Sequence, residues 1–158
     1  MGVFPDFPLP KAAVLQELLL TLQTMAISLQ HIQSQLKPHL DAMNDIIAET
    51  LTCSSQLTTG IVTEYLKSKG KMLRPIVTLL SAKFFGPIND KALLGAAAIE
   101  MLHNASLIHD DVIDQAQERR GIATINSVWD NHVAVLVGDF VVTGAVRCAV
   151  QSLSLIHI

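Results

Sequence analysis

Asp110-Asp111-Val112-Ile113-Asp114 gathers three carboxylates in one short run, and the adjacent arginines Arg119 and Arg120 follow just before Gly121. On a helix, positions 110 and 114 lie one turn apart on a shared face, while Asp111 is rotated away by about 100°. Carboxylates this close repel one another unless a cation sits among them. Magnesium suits such a place, because it is a hard ion that takes one or two carboxylates and fills its octahedron with water and phosphate oxygens. The planar forks of Arg119 and Arg120 match phosphate oxygens left uncovered by metal. The ligand this pattern fits is a metal-bound diphosphate.

An acidic run near a helix end is often only a solvated face, and an arginine pair only surface. Two further features argue otherwise. Lys67, Lys69, Lys71 and Arg74 form a basic cluster in which Gly70 permits a tight loop and Pro75 suits the first position of the apolar helix that follows. Lys71 and Arg74 then flank a helix N-terminus, which attracts anions by itself. The GxxxxGK[ST] spacing of a nucleotide-binding loop is absent. His103 precedes Asp110 by seven residues and Asp114 by eleven, offsets that return to within about 20° of the same helix face. His103, Asp110 and Asp114 thus form one polar stripe along an otherwise apolar helix.

These residues carry a family resemblance. Gly70-Lys71-Met72-Leu73-Arg74-Pro75, then Glu100-Met101-Leu102-His103-Asn104-Ala105-Ser106-Leu107-Ile108-His109, then the aspartate run and Arg119-Arg120-Gly121, in this order and spacing, resemble the front half of a trans-type polyprenyl diphosphate synthase. The resemblance runs from about Gly60 to about Gln151. It implies an all-α, isoprenoid-synthase-type helical bundle, incomplete in this chain. It also implies an enzyme that adds isopentenyl diphosphate to an allylic prenyl diphosphate. Asp110, Asp111 and Asp114 match the first aspartate-rich motif, which binds the magnesium ions that bridge to the allylic diphosphate. Arg119 matches the arginine that contacts that diphosphate. Lys71, Arg74, His103 and Arg120 match residues that grip the diphosphate of isopentenyl diphosphate. For the complete protein a homodimer is expected.

The departures are specific. The family places two glycines before the lysine, and here Lys69 stands in the first position, leaving Lys71 and Arg74 in register. Family members are longer and carry a second aspartate-rich motif and a further lysine, whereas after Asp114 the acidic residues Glu118, Asp130 and Asp139 are dispersed. The run Leu153-Ser154-Leu155-Ile156-His157-Ile158 resembles a translated sequencing-library adapter. The expectation is a truncated gene in three parts: a helical segment over 1–57, the front half of the synthase domain over 58–152 and read-through over 153–158. Alone, such a piece is expected to be inactive, with apolar faces lacking their partners. Two other classes use some of these residues. A metal-dependent phosphohydrolase would use His109-Asp110, but leaves the basic residues unexplained. A non-catalytic subunit regulating a prenyltransferase would commonly lose acidic motif residues, and these are intact.

Composition agrees with a helical bundle. Of 158 residues, 50% are hydrophobic and 16% charged, a balance that excludes a disordered chain. The net charge of -3 leaves no nucleic-acid footprint. Cys53 and Cys148 form neither a CxxC nor a disulfide framework, so a reducing cytoplasm is the default. The proline-rich start lacks a basic n-region, and Gln16, Glu17 and Gln23 interrupt the apolar stretch that follows, against a signal peptide or membrane span.

Apolar periodicity predicts helices near 11–36, 39–52, 58–68, 75–85, 90–115 and 131–151. Asn89 or Asp90 caps the metal-bearing helix, and the Asp130-Asn131 turn with Trp129 anchors entry to the last one. Asp139 is expected to be satisfied by a neighbouring helix. About 26 residues at 1.5 Å each give the metal-bearing helix roughly 39 Å, enough to carry a site at one end and line a tunnel below it. Ser106, Leu102 and Ile99 share the side beneath Asp110. In the resembled family, bulky aromatics at the positions of Ala105 and Ser106 close the tunnel early, so small residues imply a product of at least four isoprene units.

Overall fold

The computed structural model describes Gln16 together with residues 29–66 and 70–153. The elements are α1 (Leu29–Thr50), α2 (Gln56–Leu66), α3 (Leu73–Phe85), α4 (Asp90–Ile113), β1 (Glu118–Arg119), β2 (Ile122–Ala123), α5 (Ile125–Val128) and α6 (Asn131–Leu153). The all-α expectation holds apart from one short hairpin. The chain divides between Gln35 and Leu36, and the residues discussed below follow that division. Most of the helix expected over 11–36, the lysines Lys67 and Lys69, and residues 154–158 of the tail lie outside the described residues.

The expected break at Pro38 does not occur, since α1 runs through it. Pro38 sits on an exposed turn, so the hydrogen bond that its ring cannot donate is given up on the water side of the helix. The opposite face, Leu36, Leu40, Met43 and Ile47, recurs every three or four residues and is buried.

The dominant packing is between α4 and α6. On α4 the buried face is Ala97, Met101, Ala105 and Ile108; on α6 it is Ala134, Val137, Gly138, Val141, Ala145 and Cys148. Small residues on both faces let the two backbones approach closely. The helices run antiparallel: Gly138 faces His109, while Gly144, further along α6, faces Met101 near the middle of α4. Composition and length alone would let α6 cross a bilayer, but here its small-residue face is buried in the helical core. The end of α1 docks on α6, where Arg147 Nη2 donates to the Thr50 carbonyl at 2.9 Å. That bond satisfies a carbonyl which the helix end leaves open. Met43, Leu79 and Met101 are fully buried, each burial being worth about 1.5–3 kcal/mol.

Capping follows the sequence. Asn89 Oδ1 accepts from the Ala92 amide at 3.0 Å at the start of α4. Asp130 Oδ1 accepts from Val133 at 2.8 Å at the start of α6. Apolar residues on other faces remain exposed among the described residues, including Phe84, Phe85, Leu136, Val146 and Leu153.

Candidate functional site

α4 ends where it does because of a Schellman motif. Gln115 takes a left-handed backbone (φ 51°), its amide donates to the Val112 carbonyl, and the Ala116 amide donates to the Asp111 carbonyl at 2.9 Å. The helix therefore stops with Asp110 and Asp114 in its final turn, both exposed. This is the negative end of the helix dipole, and the last turn holds no basic residue. Two carboxylates placed there favour a bound cation.

The chain then turns back as a hairpin that the sequence reading did not foresee. β1 and β2 pair antiparallel, with Glu118 opposite Ala123 and Arg119 opposite Ile122. The two-residue loop is Arg120-Gly121, with φ of 55° and 79°, the left-handed pair that a type I′ turn requires. Glycine adopts this conformation without penalty; arginine does not, and at Arg120 the conformation comes with the β1–β2 pairing on either side of the turn. The Thr124 hydroxyl and the Asn126 side-chain amide both donate to the Ala116 carbonyl, at 2.7 Å and 3.0 Å. They tie the exit of the hairpin to its entrance.

This turn sends the two arginines to different partners. Arg119 reaches back to α4, where its Nε donates to Asp111 Oδ1 at 2.8 Å and its Nη2 lies 2.7 Å from the same oxygen. Arg120 reaches across to the segment before α3: a Cβ at Gly70 would meet its Nη1 at 2.5 Å. The two basic blocks, far apart in sequence, therefore meet through Arg120 and Gly70.

α3 begins at Leu73, so Pro75 stands third in the helix instead of first. Its missing N–H is still one of the four that a helix start leaves unbonded. Met72 precedes the helix with a left-handed backbone and supplies no side-chain cap, so the first-turn amides retain the anion-attracting character of a helix N-terminus. Lys71 and Arg74, both exposed, flank it. His103 on α4 belongs to the same neighbourhood: burial and then the charges of Arg74, Arg120 and Arg119 push its pKa down. Burial and these charges both favour its neutral form. Glu100, one turn earlier, is pushed up by burial against the opposing pull of Arg74, of the Asn104 side chain and of Arg120.

Below the basic residues lies an open groove of about 530 Å³ lined by Arg74, Ile99, Leu102, His103, Ser106, His109 and Val142. Ile99, Leu102 and Ser106 share it, as the helical spacing predicts. Ala105 does not, because it is fully buried. A separate pocket beneath the hairpin is lined by Tyr65, Asn104, Asp111, Arg119, Arg120 and Trp129 among others.

Asp111 departs from the expected triad of metal ligands. It is 2% exposed and engaged by Arg119, because the 100° step from Asp110 turns it off the shared face and under the hairpin. Among the described residues no group of three His, Cys, Asp or Glu side chains is arranged to hold a metal. Asp110 and Asp114 alone fit magnesium, which needs only one or two carboxylates and takes its other oxygens from water and phosphate. His109 is not directed as a phosphohydrolase ligand would be: its Nε2 lies 3.3 Å from the Val135 carbonyl and 3.5 Å from Asp139 Oδ1. Asp139, largely exposed, lies beside the neighbouring helix at that 3.5 Å distance. Tyr65, whose hydroxyl approaches the Asn104 carbonyl at 3.5 Å, went unnoticed in the sequence. The Arg-Gly dipeptide was the available signal for the hairpin, but it lacks the flanking alternation that marks longer ones.

A sequence model of the family described as Polyprenyl synthetase matches residues 55–157. The all-trans-nonaprenyl-diphosphate synthase (geranyl-diphosphate specific) of Rhodobacter capsulatus is 44% identical over 105 residues, 66% of this chain and 32% of that protein. The octaprenyl diphosphate synthase of Haemophilus influenzae is 34% identical over 82% of this chain and 39% of its own length. Among solved structures, the polyprenyl synthase from Caulobacter crescentus CB15 complexed with calcium and isoprenyl diphosphate superposes with a TM-score of 0.76. The identity is 30%, over 81% of this chain and 39% of that one. The chain thus spans less than two fifths of the length of these relatives.

Proposed function

The chain belongs to the polyprenyl synthetase family and has its all-α isoprenoid-synthase fold, and from this premise we propose that it carries the front half of a magnesium-dependent prenyltransferase site. The reaction joins isopentenyl diphosphate to an allylic prenyl diphosphate. The observation that supports this reading is that Arg74 and His103 line one groove with Ile99, Leu102 and Ser106, while the charges of Arg119 and Arg120 reach the same histidine. A ligand with an anionic head and an apolar tail fits that combination.

Asp110 and Asp114 would hold the metal at the end of α4. Magnesium, when bound, supplies a hard Lewis acid that neutralises charge on the diphosphate. Arg119 aims its remaining N–H groups at the allylic diphosphate, which gains negative charge as its carbon–oxygen bond breaks. Lys71, Arg74, His103 and Arg120 grip the diphosphate of isopentenyl diphosphate, whose double bond attacks the allylic cation; loss of a proton then restores an alkene. None of these steps needs a serine, cysteine or lysine nucleophile. The groove takes the hydrocarbon tail, and with Ser106 at its wall the product has at least four isoprene units.

The intact aspartates favour a catalytic protein over a regulatory subunit. Because the chain covers about a third of its relatives, turnover is assigned to the complete homodimeric, cytoplasmic protein and not to residues 1–158 alone. The test is calorimetric titration of the chain with a non-hydrolysable prenyl diphosphate analogue, with and without magnesium. Saturable binding that requires magnesium is the expected result, and binding indifferent to magnesium would sink the reading. Elongation by the isolated chain would overturn the assignment of turnover to the complete protein.

A further inference from the structure

We infer that the cavity bounded by α1, α2, the segment before α3 and one flank of α4 is a second binding site, whose ligand is an uncharged alcohol with a short apolar body. This site is separate from the one described above, and its ligand is not a reactant assigned there. The cavity measures about 290 Å³. At the roughly 30 Å³ that one water occupies in the liquid, it holds about ten heavy atoms. On α4 it is bordered by Glu100 and Asn104, whereas the groove is bordered by Ile99, Leu102, His103 and Ser106. At 100° per residue the two sets stand roughly 130° apart round the helix, so the cavity opens on a different flank. None of Lys71, Arg74, His103, Arg119 and Arg120 lines it.

The lining sorts by chemistry. Ile47, Leu51 and Val62 line the cavity and are buried, an apolar surface that suits a hydrocarbon body. Asn44 and Thr63 border the same space with side chains that make no hydrogen bond among the described residues. Asn44 is half-buried, so its amide, which both donates and accepts, gains from a partner inside the cavity. A hydroxyl meets that need because it also does both. Charge on the ligand is opposed from two sides. The Glu100 carboxyl in the lining repels an anion such as a diphosphate, and the charges of Arg74 and Arg120, which reach that carboxyl, repel a cation. A few polar groups set beside an apolar surface are what small-molecule sites share. Gly70 and Met72 also border the cavity, so its occupant packs against the segment that carries Lys71.

Geraniol, an uncharged chain of that size with one hydroxyl, is the probe, titrated into the full chain by calorimetry and followed by saturation-transfer NMR. One-to-one, saturable binding is expected. Asn44→Leu removes the polar partner at nearly constant size and should weaken geraniol roughly fivefold, the worth of one neutral hydrogen bond. Ala48→Trp brings a ring into the cavity from an exposed position on α1 and should weaken geraniol by about tenfold or more; its melting curve shows whether it folds, and Asn44→Leu carries the test if it does not. A saturating non-hydrolysable geranyl diphosphate analogue with magnesium should not displace geraniol. Displacement would put the alcohol in the groove and overturn the inference, and so would the lack of saturable binding or a titration that either folded variant leaves unchanged. If the analogue itself does not bind, the functional reading fails while the geraniol titrations still decide the cavity.

Discussion

Arg120 lies directly over Gly70, so that a Cβ at residue 70 would meet Arg120 Nη1 at 2.5 Å. The contact joins a hairpin turn to the segment that opens α3, and only a residue without a side chain leaves the guanidinium where it is. The obstructing atom is the far end of a flexible side chain, so the fold can yield cheaply while the site cannot. Gly70→Ala should change thermal stability by no more than about 1 kcal/mol and weaken magnesium-dependent diphosphate binding by about tenfold. Melting curves beside calorimetric titrations check this; unchanged binding would mean that Arg120 does not contact the ligand.

Tyr65 reports on the pocket beneath the hairpin. Burial, and after it the Asp111 carboxylate, raise its pKa from 10.0 to about 12 against the opposing pull of the Arg119 and Arg120 charges. A group whose folded pKa is raised contributes stability that is fully present below its unfolded pKa. Between pH 10 and about 12 the unfolded phenol ionises while the folded one does not, so stability falls as pH rises through that window. Tyr65 is the only tyrosine in the chain, so its phenolate absorbance can be followed without overlap. The expected midpoint is about 12 in the folded protein and near 10 in denaturant; a folded midpoint near 10 would show the pocket open to water.

Which parts of this arrangement were legible in the sequence depended on how many residues carried each signal. Periodic helices such as α4 and α6 were, because each repeats its buried face over several turns. So was a cap at Asn89 or Asp90, which the structure gives to Asn89, where one side chain and one amide decide the outcome; the Asp130-Asn131 turn was legible as the entry to α6, and the structure adds that Asp130 caps it. Pro38 misled, because its cost depends on which face of the helix it occupies and not on its presence. The hairpin was missed because each strand has two residues, too few to show alternation. Its turn places an arginine where asparagine or glycine is usual, and that choice makes sense only beside Gly70. Asp111 was grouped with its neighbours because spacing gives the angle between side chains but not what waits at the end of each.

Gly138 sets the approach of α6 to α4. The His109 ring is seated against it, with Nε2 the nearest atom to the place a Cβ would occupy. For that nitrogen to donate to the Val135 carbonyl at 3.3 Å, it must carry the proton. Gly138→Ala forces the ring aside, costs the contact and disturbs the main helix pair. A loss of about 1–3 kcal/mol is expected, read as a lower midpoint in urea with the slope unchanged. A midpoint equal to that of the unsubstituted chain would show that His109 moves at no cost and does not lock the pair.

Ala105 and Ser106 are neighbours in sequence, and the structure gives them opposite surroundings. Ala105 is fully buried on the α4 face that meets the core. Ser106 lines the open groove with Ile99 and Leu102, its hydroxyl turned back to the His103 carbonyl at 2.8 Å. A phenyl ring at 105 has no space to enter and must push the helices apart, at a cost of about 1–3 kcal/mol or more. The same ring at 106 projects into the groove without disturbing the core. Ser106→Phe should therefore fold normally and discriminate by tail length: a geranylgeranyl diphosphate analogue binds more weakly than to the unsubstituted chain, a geranyl analogue about as before, and the complete enzyme makes shorter products. Ala105→Phe should lower the melting temperature first, with any change in product secondary to that. If Ala105→Phe instead shortens the product at unchanged stability while Ser106→Phe leaves it alone, the hydrocarbon tail runs along the other side of α4, and the groove lined by Ile99 and Leu102 is not its path.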